Sequence, residues 1–554
     1  MAAYLTSDCL TNILSYFDSD PHSLHSFLLV NRYWCINTVP ILWRRTFYLT
    51  AHGSFSSKSR CRLISTYLSC LASNKQNSPN LDSSITITSH ASSSDMTRNK
   101  QNHFSFAQQK SLTFDYVSFL RGFDYFQVYY AIGNWYANQS SEKKQSIDFI
   151  KIFGMDDDEC RKFMITKELI KCILNKSPII DYLALDSETT IPSEFTSIGK
   201  FPGATICLSY IRTFICRGSS KKLDLYIVLS KICRNVENMT ICGIGEDDSN
   251  AEGLSNLIRK QHHLRKFVLW DGTNEQMSKV IKALSDNREK MKYLEFRFCN
   301  FENCRPLESL AAACTELTTL KFIQCGEISS NITLSFSRSL FPDLHDLDLQ
   351  GTHFPADTLE TIFHHANINL ISINIEADSN QHFRIIEKLA TNCPNITKLH
   401  ARLSKNGMGQ LNSLFRSCKR LETIILQGHL PNRIFIFAQD ANDDLLINLR
   451  EVIPASLKKF VVKTDCAFTS SAVDTFLREC KADLNRLEFI SYGSVWQHLN
   501  VIKRYARKHR LEIKQQIAVK TLYGFNIYTL LYPNEKKKEM SSISRSNHDS
   551  YNIQ

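Results

Sequence analysis

A short apolar motif recurs nine times at nearly constant spacing in the second half of this 554-residue chain, and that period constrains the fold more than any other feature. The pattern is apolar-x-x-apolar-x-apolar. It occupies Leu264, Phe267 and Leu269; Met291, Leu294 and Phe296; Leu317, Leu320 and Phe322; Leu344, Leu347 and Leu349; and Leu370, Ile373 and Ile375. It continues at Ile396, Leu399 and Ala401; Leu421, Ile424 and Leu426; Leu457, Phe460 and Val462; and Leu484, Leu487 and Phe489. Successive first positions lie 27, 26, 27, 26, 26, 25, 36 and 27 residues apart, the one long interval holding an insertion at 431–447. A period of this length marks a supersecondary unit that buries its faces only by stacking on its neighbours.

Between the motifs the apolar spacing changes to i, i+3, i+4, i+7, the stripe of an amphipathic helix. Met277, Val280, Ile281 and Leu284 follow it, as do Leu307, Leu310, Ala311 and Cys314, and Leu359, Ile362, Phe363 and Ala366. So do Ile386, Leu389, Ala390 and Cys393; Leu411, Leu414, Phe415 and Cys418; and Val473, Phe476, Leu477 and Cys480. Each period therefore predicts one strand and one helix. The fold class is α/β: a horseshoe solenoid with a parallel sheet on the concave side and helices on the convex side. Degenerate earlier copies are expected at Ile180, Leu183 and Leu185 and at Val236, Met239 and Ile241, with an irregular one at Phe201, Ala204 and Ile206. Leu511 and Ile513 mark a closing repeat and cap over 495–532.

The 18 cysteines never form a CxxC pair, so neither a zinc ribbon nor a disulfide scaffold is indicated, and a reducing compartment is expected. Instead they follow the period. Cys314, Cys393 and Cys418 each precede the first leucine of a strand by three residues, and Cys480 precedes Leu484 by four. Cys299 and Cys325 stand three residues after the last apolar strand position, where a small side chain can turn inward to loop backbone groups. Ligands one repeat apart along a solenoid do not converge, so no metal and no cofactor is expected. This arrangement resembles the cysteine-containing leucine-rich repeat family.

A formal net charge of +11 is too small an excess to indicate nucleic acid. No stretch approaches the roughly 18 apolar residues of a membrane span, and no Lys or Arg precedes Arg32 to make a secretory n-region. The expected location is cytoplasmic and/or nuclear. No GxxxxGK[ST], GxSxG or HExxH is present, and Gly243 and Gly245 lack the third glycine of a dinucleotide fingerprint. A non-catalytic protein is expected.

Residues 5–47 form a separate small module. Leu10, Ile13, Leu14 and Phe17 make one helical face, Asp20-Pro21 ends that helix, and a second apolar run covers Leu24, Phe27, Leu28 and Val30 to Trp34. Pro40 and then Ile41-Leu42-Trp43-Arg44 follow. The sequence here resembles the F-box. That family's opening Leu-Pro-x-Glu stands as Leu5-Thr6-Ser7-Asp8, its Val-Cys-x-x-Trp pattern as Val30-Asn31-Arg32-Tyr33-Trp34, and its Leu-Trp-Arg ending is intact at Leu42-Trp43-Arg44. The order of parts is that of F-box/leucine-rich-repeat substrate receptors of cullin–RING ubiquitin ligases, and the chain resembles their fungal-type members.

The resemblance implies this organisation: 1–48 F-box; 49–110 polar linker with a short helix; 111–235 connector and degenerate first repeats; 236–494 leucine-rich repeats; 495–532 closing repeat and cap; 533–554 flexible tail. It implies a substrate-recognition subunit of an SCF-type ubiquitin ligase. The F-box would bind a Skp-type adaptor, and through it the cullin–RING ligase, while the repeats bind an unknown protein destined for proteasomal degradation. Candidate adaptor contacts are Leu5, Leu10, Ile13, Leu14, Leu28, Val30, Trp34, Leu42 and Trp43, several of which must instead be internal core. Strand alternation turns the residue between the last two apolar positions, and the one following them, to the concave side. That selects Trp270, Glu295, Arg297, Lys321, Asp348, Gln350, Asn374, Glu376, His400, Arg402, Gln427 and Lys463 as candidate target contacts. The alternatives are an F-box scaffold acting outside the ligase, a helical cap that only shields the solenoid end, and a repeat-type GTPase activator.

Overall fold

Nine motif-bearing segments must share one register if their apolar positions are to stack, and they do. The computed structural model describes residues 5–18, 20–47, 56–77, 112–138, 157–185, 195–218, 222–245, 247–286, 291–302, 304, 310, 314–328, 341–376, 382–402, 409–427, 443–463, 467–492, 495–508, 512–518 and 525–531. The chain divides into two units between Leu264 and Arg265.

The first unit opens with three helices, α1 (Ser7–Ser15), α2 (Pro21–Leu28) and α3 (Arg32–Leu42). Four parallel strands follow in neighbouring order: β1 (Gly122–Asp124), β2 (Tyr182–Leu185), β3 (Thr213–Arg217) and β4 (Asn238–Cys242). Thus β2 and β4 stand where the degenerate motifs place them. The expected repeat at Phe201, Ala204 and Ile206 is instead a short helix, Ala204–Cys207. Its strand lies further on, at β3, where Cys216 holds the last apolar place and disguises the motif. Gly203 makes the turn before that helix at φ +78°, with Leu174 O only 2.3 Å from where a Cβ would sit. Gly203→Ala should destabilise the first unit by more than about 1 kcal/mol, read as a lowered urea midpoint.

The helix expected within the 49–110 linker is longer than anticipated: 21 residues, Ser57–Asn77, in its first half. Ile64, Tyr67, Leu68 and Leu71 are buried, Tyr67 stacks on Phe47 at 5.3 Å, and the Trp135 indole donates to Ser65 Oγ at 3.1 Å. An apolar stripe that the surrounding Ser, Asn and Gln obscured holds this helix to Tyr125–Ala137. The expected linker at 78–110, the helix residues Leu307 and Ala311, and the tail at 533–554 lie outside the described residues.

The second unit carries β5 (Lys266–Gly272), β6 (Tyr293–Cys299), β7 (Thr319–Ile323), the short β8 (Gly326–Glu327), β9 (Asp346–His353), β10 (Ser372–Glu376), β11 (Lys398–Arg402), β12 (Thr423–Gln427), β13 (Lys459–Lys463), the short β14 (Ala467–Thr469) and β15 (Arg486–Tyr492). Phe267, Leu294, Leu320, Leu347, Ile373, Leu399, Ile424, Phe460 and Leu487 pair in one unbroken parallel row. All nine are buried, and the described helices between them bury the predicted stripes apart from half-buried Cys480. At the far edge the parallel order ends: β17 (Phe525–Leu531) pairs antiparallel with both β15 and β16 (Glu512–Ala518). The closing segment is therefore a helix, Val495–Lys508, followed by a reversed strand pair. The single closing repeat expected from Leu511 is corrected accordingly.

Three devices fix the period. The residue before each strand offers its carbonyl to two consecutive amides of the next repeat: Arg265 O to Lys292 (2.8 Å) and Tyr293 (3.0 Å), Lys292 O to Thr318 and Thr319, Thr318 O to His345 and Asp346. The series runs on through His345, Ile371, Thr397, Glu422 and Lys458. Seven residues after the first motif position, towards the end of the strand, comes a left-handed residue, at Asp271, Phe298, Gln324 and Gly351 in successive repeats. One place further on, Cys299, Cys325 and Thr352 hydrogen-bond back to the carbonyls of Leu269 (3.7 Å), Phe296 (3.5 Å) and Phe322 (2.9 Å). The cysteines thus bridge adjacent repeats, as small inward donors. At the helix ends, Cys393 Sγ donates to Phe363 O (3.6 Å) and Cys418 Sγ to Cys393 O (3.5 Å).

Burial pushes the thiols of Cys207, Cys233, Cys314 and Cys393 up to about 12, and those of Cys325, Cys418 and Cys480 up to about 11. A folded pKa above the unfolded value of 9.0 means that the contribution is complete below pH 9 and is lost as pH rises towards 12. Iodoacetamide at pH 8 should therefore modify exposed Cys9 in the native protein and leave Cys314 and Cys393 untouched until denaturant is added, as read by peptide mass spectrometry.

Candidate functional site

Two surfaces stand out, one in each unit. In the N-terminal module each helix starts at a side-chain cap. Thr6 Oγ1 accepts from Cys9 N (3.4 Å) at α1, Asp20 accepts from His22 N and Ser23 N (3.1 Å each) at α2 with Pro21 in the first turn, and Asn31 Oδ1 accepts from Trp34 N (2.9 Å) at α3. Two of the departures from the F-box pattern, Thr6 and Asn31, are therefore helix caps, and each satisfies an amide that the helix cannot. Asn37 ties α3 to the start of the module, donating to Tyr33 O (2.8 Å) and accepting from Ser7 Oγ, while Tyr33 OH donates to Leu5 O (2.7 Å).

Leu10, Leu14, Leu24 and Ile41 fill the core, ringed by half-buried Phe17, Phe27, Trp34 and Leu42. Leu10 and Leu14 are thus corrected as adaptor contacts, because fully buried side chains offer no surface. Leu28 is half-buried, and Trp43 turns inward against Tyr116 (4.2 Å) and Tyr67 (5.5 Å). Of the expected residues, Leu5, Ile13 and Val30 are exposed, and four more join them that the sequence reading missed: Tyr16 (88% exposed), Leu29 (76%), Tyr33 and Ile36. Their signal was present as second apolar faces, Ile13 on α1 with Tyr16 at its C-cap and Tyr33 with Ile36 on α3, each pair three residues apart.

The module is built into its unit. Arg44 O accepts from Arg121 N (2.8 Å) and Gly122 N (3.2 Å), the same doubled bond that Arg121 O makes to Asp181 and Tyr182, Asp181 O to Arg212 and Thr213, and Arg212 O to Glu237 and Asn238. Arg44 is the first rung of the repeat series. Beside it Arg45 pairs with Asp181 at 3.3 Å and with Asp18 at 3.8 Å.

The strand face of the second unit opposite the buried motif residues carries the other surface. Strand alternation places the predicted residues there, together with a third row, Lys266, Tyr293, Thr319, Asp346, Ser372 and Lys398, which the motif-based count passed over because it lies before the middle apolar position. Neighbouring strands knit these groups into one network. The Arg297 guanidinium lies 4.9 Å from the Trp270 ring centre and donates to Glu295, which also accepts from Tyr293 OH. Glu295 is 3% exposed, so its charge is held by these two donors. Lys266 Nζ lies 4.3 Å from the centre of the Tyr293 ring, while Lys321 pairs with Asp346 at 3.1 Å. Asp348 accepts from Asn374 at 2.8 Å, and burial raises its carboxyl above the ordinary range. Burial also raises the Tyr293 phenol, so it stays a donor across the physiological range. Gln350 is exposed, whereas His400, Arg402 and Gln427 are half-buried. Glu376 and Lys463 stand on their strands, β10 and β13, with side chains outside the described set.

Among the described residues, no three His, Cys, Asp or Glu side chains gather as a metal would require, and no helix is long and apolar enough to cross a membrane. No family model matches the sequence, and no curated protein matches it. Similar solved structures include the Rad7 and Elc1 complex of yeast, at 13% identity and a TM-score of 0.31 over 59% of this chain and 76% of that chain. Another is the leucine-rich repeat-containing protein LegL7 of Legionella pneumophila, at 10% identity and a TM-score of 0.29 over 53% of this chain and 96% of that one.

Proposed function

We propose that this chain is the substrate-recognition subunit of an SCF-type ubiquitin ligase. In this reading the N-terminal module docks a Skp-type adaptor, and through it the cullin–RING ligase, while the concave face of the second unit holds a protein target for ubiquitination and degradation. The observation that carries the reading is the exposed apolar rim of Leu5, Ile13, Tyr16, Leu29, Val30, Tyr33 and Ile36 on a module whose core is already filled. So many large apolar groups on one small module are a surface that needs a partner. The cap reading accounts for the Arg44 and Arg45 contacts, yet it leaves Tyr16, Leu29 and Val30 in water.

The chain itself performs no chemistry in this reading. It raises the effective concentration of the target's lysines near a ubiquitin-charged enzyme held by other subunits. Such a receptor works in the cytoplasm or nucleus. The test is co-purification of the full chain with a Skp-type adaptor and cullin. Capture of both supports the ligase role; a folded full chain that captures neither overturns it and leaves the scaffold reading.

A further inference from the structure

Phe298 occupies the left-handed position near the end of β6 at φ +54° and is 46% exposed. The equivalent places in neighbouring repeats hold Asp271, Gln324 and Gly351. A bulky side chain in that region costs stability that glycine or a short polar residue largely avoids. Nearly half of the Phe298 surface lies in water, so internal packing covers the side chain only in part. Backbone strain of this kind is a mark of a binding position. Phe298 adjoins Arg297, whose guanidinium lies over Trp270. Ile323, paired with Arg297 across the sheet, borders the same end of the strands. Trp270, Phe298 and Ile323 thus all lie at the C-terminal ends of β5, β6 and β7.

The opposite end of the same strands is cationic. Lys266 lies against Tyr293 and has no carboxylate partner among the described residues, whereas Arg297 is matched by Glu295 and Lys321 by Asp346. This leaves one uncompensated positive charge over a tyrosine face. Asp271, the exposed acid nearby, belongs to the Trp270 end, five residues from Lys266 and about 17 Å along an extended strand. Lys266 and Trp270 are four residues apart on one face, about 13 Å, a span that an extended peptide covers between its own residues i and i+4.

We propose that this patch binds an extended segment of the target that presents an acidic side chain to Lys266 and Tyr293 and a bulky apolar side chain, about four residues away, to Trp270 and Phe298. The assignment names the target class within the receptor reading, and adaptor capture through the N-terminal module reports on that reading separately.

The test is selection of a phage-displayed library of random twelve-residue peptides on the full chain, followed by affinities of the enriched peptides, labelled with fluorescein. The expected result is enrichment of Asp or Glu three to five residues from Phe, Leu, Trp or Tyr, with at least about tenfold weaker binding to Lys266→Glu and to Trp270→Ala. Lys266→Glu should also bind better those same peptides in which the acid is replaced by lysine. Phe298→Asn should lose about tenfold in affinity while its thermal midpoint stays level or rises, a combination that a merely structural phenylalanine does not give. No enrichment, enrichment without the acidic residue, or unchanged affinity for Lys266→Glu and Phe298→Asn overturns the proposal.

Discussion

Replacing Leu29 and Val30 together by glutamate should weaken adaptor capture by the full chain by about 100-fold or more, while the thermal midpoint barely moves. Both side chains are mostly in water, Leu29 at 76% and Val30 at 55% exposure, so the folded protein loses little when they change. An apolar partner surface would instead have to bury two carboxylates without counter-charges, at about 2 kcal/mol or more each, which is the origin of the fold-change. Leu14→Ala is the control with the opposite signature. It opens a cavity between Leu10, Leu24 and Ile41, should cost about 2–5 kcal/mol, and would reduce capture only through loss of the folded module. Titrated pull-down with a Skp-type adaptor, alongside melting curves of both variants, separates the two. Full capture by the Leu29, Val30 double variant would reject this rim as the docking surface.

That contrast shows what a single sequence can and cannot disclose. Along α1 and its C-cap, Leu10 and Leu14 are buried in the module while Ile13 and Tyr16 are exposed, and all four are large apolar residues. Periodicity finds the helix, but two apolar faces on one helix are symmetrical until the neighbouring helices are placed. The repeats carry no such ambiguity. One face of each strand must be apolar to meet the helices, so the motif fixes the register, and Phe267 through Leu487 align as spacing predicts. Legibility failed where a polar-tolerant residue took an apolar slot, as Cys216 did in β3, and where the decisive variable was a torsion angle. Nothing in the letters around Phe298 announces a positive φ; only the alignment with Asp271, Gln324 and Gly351 in three dimensions exposes it. The network on the polar strand face was half legible. Trp270, Glu295 and Arg297 follow from alternation, but Tyr293, which bonds Glu295, and Lys266, which lies against Tyr293, belong to a row that the motif does not index.

Phe296→Ala should destabilise the second unit by about 3–5 kcal/mol, and unevenly. Phe296 is fully buried between Phe267 (6.4 Å), Phe301 (5.3 Å) and Phe322 (5.4 Å), and Phe322 in turn meets Phe354 at 5.6 Å. Removing the central ring withdraws contacts from two neighbouring repeats at once. Stacked repeats couple mainly to nearest neighbours, so native-state hydrogen exchange should show protection falling first in β5, β6 and β7 and least in β11, β12 and β13. Equal loss from β5 to β15 would mean that the unit opens as one cooperative block and that the nearest-neighbour account is wrong. The same variant links core to surface: Glu295 and Arg297 flank Phe296 on β6, and their hydrogen bond holds only while that strand keeps its pleat. Loosening the apolar side of the strand should therefore blunt the Lys266 to Trp270 patch on the other side, and peptide affinity should fall in step with the loss of protection in β6.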